Sequence, residues 1–482
     1  MAVLSGLQPA KALGYFEQLC AIPHGSRNTK AVSDFCAAFA REHGLRYIQD
    51  ESNNVILFAP ATAGYENAPA VMLQGHLDMV CEKEPDCDID MEAEGLRLRT
   101  DGEWIWADGT TLGGDDGIAV AYALAVLDSD EIPHPALEVV LTVDEEIGML
   151  GAASIDVSML KARRALNIDS EEEGYLLASC AGGMTVTCEI PMLWERAVGE
   201  RIELKLSGLT GGHSGTEIDK GRANSNMLMG RLLYELEREV PYALCGLAGG
   251  LKDNAIARET TAQIIVAPEH RQRMLEAAAQ RGGVYRMEYR LTDPGLTLDV
   301  SALGEEDGDV LTASSCKNAV AALLLAPNGV QRMSGDIAGL VQTSLNCGIL
   351  TLERDALRAT FSVRSSVNSE KDALADRLRG LCELLGGRCS IAGAYPAWEY
   401  RQDSPLRDLM VRVFTQQYGH PPVVQAIHAG VECGLLSGKL PGLDCISFGP
   451  DIKDIHTTAE RLSVASVQRT WDYLIQILAQ CR

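Results

Sequence analysis

Three short stretches of this chain set acids and a histidine at spacings suited to metal or proton chemistry: His76-Leu-Asp78, Gly113-Gly-Asp115-Asp-Gly117 and Glu145-Glu146. Residues two apart on a strand share a face, and a metal-bound histidine commonly has a carboxylate partner that fixes its tautomer. Asp78 could orient His76 in that way, although a structural His–Asp pair reads the same. Glycines around Asp115 let the backbone approach a ligand closely or turn sharply; the plainer alternative is an Asp-Gly turn whose Asp caps a helix. Glu145-Glu146 is the most informative of the three. Adjacent carboxylates at a buried strand end repel each other, and burial penalises both charges, so something positive is expected to hold them. One can then ligate a metal while the other faces a bound water as general base. With Asp144 just before them, a solvated acidic loop is the other reading. Asp169 and His456 complete a set of oxygen and nitrogen donors, though His456 lies in a polar loop, 451–460, that also suits plain exposure.

These residues need elements to hold them. Strand-like runs at 71–73, 137–143 and 165–168 lead into Gly75-His76, Asp144-Glu145-Glu146 and Asp169, and a Gly-rich turn at 111–115 feeds an apolar helix at 118–127. In open α/β sheets, ligands bind at the carboxyl ends of the strands, and three such coincidences are hard to obtain by chance. From about Gly183 to Tyr395 the texture changes to alternating strands such as 201–206 and 359–363, as for a sheet with one solvated face. Helix-like stretches at 223–236, 269–279 and 370–385 separate them. The order strand–helix–strand–strand–helix–strand can be read twice, once before and once after about Pro294. The end of the chain returns to α/β texture, with a strand at 445–448, the His456 loop, and a closing helix capped by Ser463 that puts Val464, Val467, Trp471, Leu474 and Leu478 on one face. The expected architecture is α/β: a discontinuous catalytic domain (1–182 and 396–482) with a mainly parallel mixed sheet flanked by helices, interrupted by an inserted α+β lid domain (183–395) of two similar halves.

A length of 482 residues favours two domains. The net charge of −25 argues against a nucleic-acid partner, which needs a basic face, and against docking on an anionic membrane. No apolar run approaches the roughly 20 residues of a spanning helix, and the first 20 residues lack a signal-peptide core. None of the cysteines forms a Cys-x-x-Cys pair. A reducing cytoplasm, with the cysteines as small core hydrophobes, is the expected setting.

Taken in order, His-x-Asp, Gly-rich Asp, Glu-Glu, Asp and a distant C-terminal His, the motifs resemble those of the dinuclear zinc peptidase superfamily that includes carboxypeptidase G, aminoacylase and carnosinase. The longer strings Gln74-Gly-His-Leu-Asp-Met-Val80, Gly109-Thr-Thr-Leu-Gly113, Leu166-Asn-Ile-Asp-Ser170 and Cys180-Ala-Gly-Gly183 resemble the bacterial aminoacyl-histidine dipeptidases over nearly the whole chain. The resemblance implies two Zn²⁺ per subunit, with Co²⁺ or Mn²⁺ as substitutes. Asp115 would bridge them, His76 and Asp169 would complete one site, and Glu146 and His456 the other. It implies Asp78 as the acid orienting His76 and Glu145 as general base. In the lid it implies His213, in Gly211-Gly-His-Ser-Gly215, as oxyanion donor, with Asn254 and Arg364 holding the substrate's carboxylate end. It also implies a small peptide substrate of the Xaa-His type, such as β-alanyl-histidine, and a homodimer. In relatives with a small lid the histidine equivalent to His213 serves the partner's site; a doubled lid would let each chain serve itself. Asp116 departs from the pattern, since relatives more often carry a neutral or basic residue there.

Other chemistries fail on spacing. Gly212-His-Ser-Gly215 is not a nucleophile elbow, residues 434–439 do not make a phosphate loop, and Asp86, Asp88 and Asp90 lack the glycine and glutamate of a calcium loop. Two alternatives remain: an aminoacylase-like hydrolase of N-acyl amino acids, and a non-catalytic metal- or amino-acid-binding member of the fold. A binder has no need of both Asp78 and Glu145.

Overall fold

The computed structural model describes residues 2–482. Its chain divides into two units: one runs to Cys180 and resumes over Tyr400–Ala426 and Val431–Arg482, and the other comprises Ala181–Glu399 with the short segment Ile427–Gly430. That brief second excursion has no compositional signature and is absent from the expectation drawn from sequence.

The first unit is built on an eight-stranded mixed sheet. Its strands follow the spatial order Arg46–Gln49, Val55–Ala59, Leu137–Thr142, Val71–His76, Arg164–Asn167, Asp444–Ser447, Tyr175–Cys180, Val423–Ile427. The central four are mutually parallel, and the Arg46–Gln49, Val55–Ala59 and Tyr175–Cys180 strands are antiparallel to their inner neighbours. Central strands of this kind are covered on both faces and read as continuous apolar runs; every residue of Val71–His76 and of Leu137–Thr142 is buried. The helix Gly114–Leu127 is buried along almost its whole length, as its unbroken apolar sequence requires. The closing helix Val464–Gln480 is amphipathic; Ser463 accepts a hydrogen bond from the Ser466 amide at its start, and Val467, Leu474, Ile477 and Leu478 are buried. A small four-stranded sheet, with Trp104–Ala107 beside Arg461–Ser463, holds the loops that precede and follow the site.

The second unit is a nine-stranded sheet: two halves of four strands with the same strand order, and a ninth strand, Gly329–Met333, paired with Val341–Leu352 off that path. In the first half Trp194–Ser207, Ala243–Gly249, Thr260–Val266 and Thr297–Leu311 lie in the order fourth, first, third, second. In the second half Gly182–Pro191, Val341–Leu352, Ala356–Ser365 and Arg388–Tyr395 repeat that order, and the halves join through Ala243–Gly249 against Val341–Leu352. The halves are therefore nested, and not consecutive as the division near Pro294 suggested: the first strand of the second half precedes the whole of the first. Periodicity along a chain reports which faces are apolar, not which strands become neighbours, so nesting was invisible.

Candidate metal centre and substrate-facing groups

In the first unit, four sheet or loop termini deliver the expected donors to one place. His76 ends its strand. The Nε2 atom of its ring lies 3.1 Å from Asp115 Oδ1 and 3.6 Å from Asp169 Oδ1. His456 Nε2 lies 3.2 Å from the other oxygen of Asp115, Oδ2, and 2.9 Å from Glu146 Oε1. One carboxylate thus turns a separate oxygen toward each imidazole. Donor atoms of Asp115, Glu146 and His456 lie within 4.8 Å of one another, as do those of His76, Glu145 and Glu146, and those of His76, Asp116 and Asp169.

Asp78 sits just past the strand end, and its part differs from the expected one. The ring Nδ1 of His76 is 2.9 Å from the Asp78 carbonyl and 3.6 Å from the carboxylate. The carboxylate accepts hydrogen bonds from the Ser26 hydroxyl at 2.8 Å and from the amides of Glu145 and Glu146 at 3.0 and 3.3 Å. Asp78 therefore fixes the His76 tautomer chiefly through its backbone and uses its side chain to hold the Glu145-Glu146 turn.

Asp116, the unexpected residue, has a structural explanation. Its Oδ2 accepts the His76 amide at 3.1 Å and lies against Gly75, where an added Cβ would come within 2.4 Å of it. Burial, and then the charge of Asp169, push its pKa well up; the side chain serves as a buried brace of the His76 strand.

Glu460 was not distinguished by sequence from its polar loop, yet it is only 2% exposed. Its Oε2 accepts the amides of Leu112 and Gly113 at 2.7 and 3.1 Å, and its Oε1 those of Gly114 and Asp115 at 2.8 and 3.5 Å. A single carboxylate gathers the turn that presents Asp115. Glu432 was also missed. It is fully buried, accepts from Gln74 and Thr142 at 2.5 and 2.6 Å, and keeps its Oε1 without a partner.

The electrostatics show a site short of positive charge. Burial pushes Glu145 up to about 9, Asp169 to about 6, Glu171 to about 8 and Glu432 to about 7. Burial works against a charged His76, but Asp115, Asp169 and Asp78 outweigh it and hold its pKa well above the ordinary histidine range. Contacts with Asp115 and Glu146 push His456 to about 10, and the two imidazoles hold Asp115 below the carboxylate range despite its burial. Glu146 Oε1 is buried without a hydrogen bond of good geometry. Acids pushed toward the neutral form beside histidines pushed toward the cation make a set of donors that divalent cations would suit. The residues fit such ions: imidazole and carboxylate donors suit zinc and its neighbours.

The second unit brings together another polar cluster. His213 Nδ1 accepts the amides of Gly215 and Thr216 at 3.2 and 3.1 Å, which places the ring proton on Nε2, free to donate. Burial and the Arg364 charge lower the His213 pKa, so the ring is neutral. Arg364 Nη1 donates to the Tyr395 hydroxyl at 3.2 Å, and its Nε is buried without a partner. The Tyr395 ring lies where Cβ atoms on Gly183 or Gly430 would intrude, at 2.6 Å in each case; this accounts for the glycine in Cys180-Ala-Gly-Gly183. Asn254 is exposed on a loop whose carbonyl receives the Ser214 amide at 2.9 Å. His428, unmarked in the sequence, joins this cluster through Ser344 at 2.7 Å, and burial together with Arg364 lowers it to about 4.

A parallel-centred α/β unit carrying paired imidazoles and carboxylates at its strand ends, interrupted by a second unit, defines a hydrolase of the metallopeptidase type. The sequence matches peptidase family M20/M25/M40 over residues 72–480, and the chain belongs to that family; it is a hydrolase of peptide bonds. It is 36% identical over 482 residues to the cytosol non-specific dipeptidase of Escherichia coli K12, covering 100% of this chain and 99% of that one. The crystal structure of aminoacylhistidine dipeptidase from Vibrio alginolyticus superposes with a TM-score of 0.93 at 36% identity, covering 99% of this chain and 98% of that one. The aminopeptidase PepT from Bacillus cereus shares the fold alone, with a TM-score of 0.55 at 14% identity over 98% of this chain and 99% of that one. Among the described residues no helix is long and apolar enough to cross a membrane.

Proposed function

We propose that this protein is a cytoplasmic, dinuclear zinc dipeptidase that hydrolyses Xaa-His and related dipeptides, β-alanyl-histidine among them, and works as a homodimer. The observation that carries the metal reading is the split of Asp115, one oxygen toward His76 and the other toward His456. His76 and Asp169 would hold one ion with Asp115, and Glu146 and His456 the other; Co²⁺ or Mn²⁺ can substitute. When bound, such ions polarise the scissile carbonyl and lower the pKa of a water from 15.7 to roughly 7.

The chain's own groups supply the rest. Glu145, a half-buried carboxylate whose donor atom lies with those of His76 and Glu146, takes the proton of the attacking water and returns it to the leaving amine. Asp78 holds the Glu145 amide and so fixes where that carboxyl stands. His213 donates its Nε2 proton to the tetrahedral oxyanion, a contact that strengthens as charge develops. Arg364 and Asn254 take the substrate's carboxylate. A cleft of about 360 Å³ beside Glu146, lined by Ser26, Met79, Val80, Cys81, Met91 and Ile147 among others, has room for the N-terminal side chain. The dipeptidase reading has the support of both full-length relatives' names, and the Xaa-His preference that of the Vibrio alginolyticus one alone, so the preference calls for direct assay. Purified zinc-loaded protein is to be offered dipeptides, tripeptides and N-acetyl amino acids. Fast turnover of Xaa-His dipeptides is expected; activity confined to N-acetyl amino acids, or equal cleavage of long peptides, overturns the proposal.

A further inference from the structure

The second unit carries three cysteines that no part of the peptidase chemistry uses. Cys188 lies on strand Gly182–Pro191 and is the direct cross-strand partner of Cys389, on strand Arg388–Tyr395 at the edge of the sheet. Cys382 comes from the last turn of the helix Asn368–Leu384, which packs on those strands, and the Gly387 amide donates to its carbonyl at 2.8 Å. The sulfurs of Cys188 and Cys389 are 3.3 Å apart, and all three lie within 4.8 Å of one another. Cys188 and Cys382 are buried, and Cys389 is half-buried.

We infer that these three thiols form a second metal site, specific for a monovalent thiophilic cation, Cu(I). Soft thiolates select Cu(I), zinc or iron–sulfur clusters over harder ions. Structural zinc takes four protein donors, whereas among the described residues no fourth histidine, carboxylate or cysteine joins this group. Three sulfurs and nothing else suit an ion content with low coordination. A disulfide between two of the thiols would leave the third without a role, while an ion uses all three. The peptidase centre is built from imidazole and carboxylate alone, so the two sites differ in donor type and sort ions by softness. The half-buried Cys389 gives entry from solvent at the sheet edge, and binding releases the thiol protons to the buffer. Nothing oxidises or is oxidised in this step.

The test uses the full chain with its peptidase metals in place, kept anaerobic and titrated with Cu(I) supplied as its bicinchoninate complex. Wild type should retain one Cu(I) per chain more than either Cys389→Ser or Cys188→Ser, with three sulfurs around the copper by X-ray absorption. Copper should raise the wild-type melting temperature and leave that of the variants unmoved, since a ligand stabilises only the state that binds it. Dipeptide hydrolysis by the variants should equal that of wild type, which also shows that they are folded. Cys188 is buried, so if its variant fails to fold, Cys389→Ser alone decides. Equal copper in wild type and Cys389→Ser, a two-sulfur shell, or uptake of Zn(II) but not Cu(I) at these thiols overturns the inference.

Discussion

Glu460→Gln tests whether Asp115, the proposed bridging ligand, is placed by a residue that touches no reacting atom. The wild-type carboxylate accepts four amides, three of them at 3.1 Å or less and the fourth, from Asp115 itself, at 3.5 Å. An amide side chain keeps one acceptor oxygen and turns an NH₂ toward the other pair of amides. The oxygen will settle on Leu112 and Gly113, the better-placed pair, leaving the Gly114 amide buried and unmet and the long Asp115 bond lost. A hydrogen bond to a charged acceptor contributes about 1.5–3 kcal/mol, so one firm bond and one weak bond amount to about 2–4 kcal/mol. Part of this falls on folding, and the remainder on the placement of Asp115. Loss of a residue that orients a metal ligand typically costs roughly 10–100-fold in metal affinity. The assays are chelator competition for metal release and a urea titration of the metal-free protein. Glu460→Gln should show weaker metal retention by that factor and a lower urea midpoint. Wild-type metal affinity combined with a wild-type midpoint would mean that the Leu112–Asp115 turn holds itself, and the positioning argument would fail.

Elemental analysis should find about two ions per chain, and Asp115→Ala should lose more metal than any other single ligand change; one firmly bound ion in the wild type would refute a bridged pair. Glu145→Gln should keep its metal while kcat falls by roughly 10²–10⁴-fold, and Glu146→Ala should lose metal; the reverse result would show that the two roles are exchanged. In metal-free protein, His456, raised to about 10, contributes stability that is complete below the ordinary histidine range and is lost as pH rises through 10. The acids Glu145, Asp169 and Glu171, raised to about 9, 6 and 8, act in the same direction because unfolding lets them ionise. The urea midpoint of the metal-free protein should therefore fall between about pH 6 and pH 9, and zinc should flatten the profile; a flat metal-free profile would contradict the charge shortage. Finally, mixed dimers of His213→Ala and Glu145→Ala subunits should stay as inactive as the parents if each chain's doubled insert serves itself; recovered activity would place His213 in trans.

Much of the first unit was readable because its signals are local. The strands ending at His76 and before Asp144 and Asp169 announce themselves as apolar runs stopped by acids, and Ser463 caps its helix as its sequence suggests. What escaped depends on contacts far apart in the chain. Glu460 looks like any acid in a polar loop until residues 112–115 fold against it. His428 and Glu432 are ordinary residues in sequence and become buried only through partners at Ser344 and at Gln74 and Thr142. Asp78 stands beside the His76 ring but meets it more closely through its carbonyl than through its carboxylate, a distinction that spacing does not make.

The position of strand Asp444–Ser447, between Arg164–Asn167 and Tyr175–Cys180, has a consequence for biosynthesis. Its two neighbours are translated before the insert and it is translated after, a wait of roughly 10–40 s or more at about 5–20 residues per second. During that interval the nascent sheet ends at an open Arg164–Asn167 edge, and Tyr175–Cys180 has neither neighbour because Val423–Ile427 is also translated after the insert; both are open to pairing with other chains. The inserted unit, contiguous apart from its four-residue excursion, can fold meanwhile. Aggregation of this protein during expression is therefore expected to begin in the half-built first unit. Slowing translation between Ala181 and Glu399 should worsen it, and an excess of holdase chaperone during that window should relieve it.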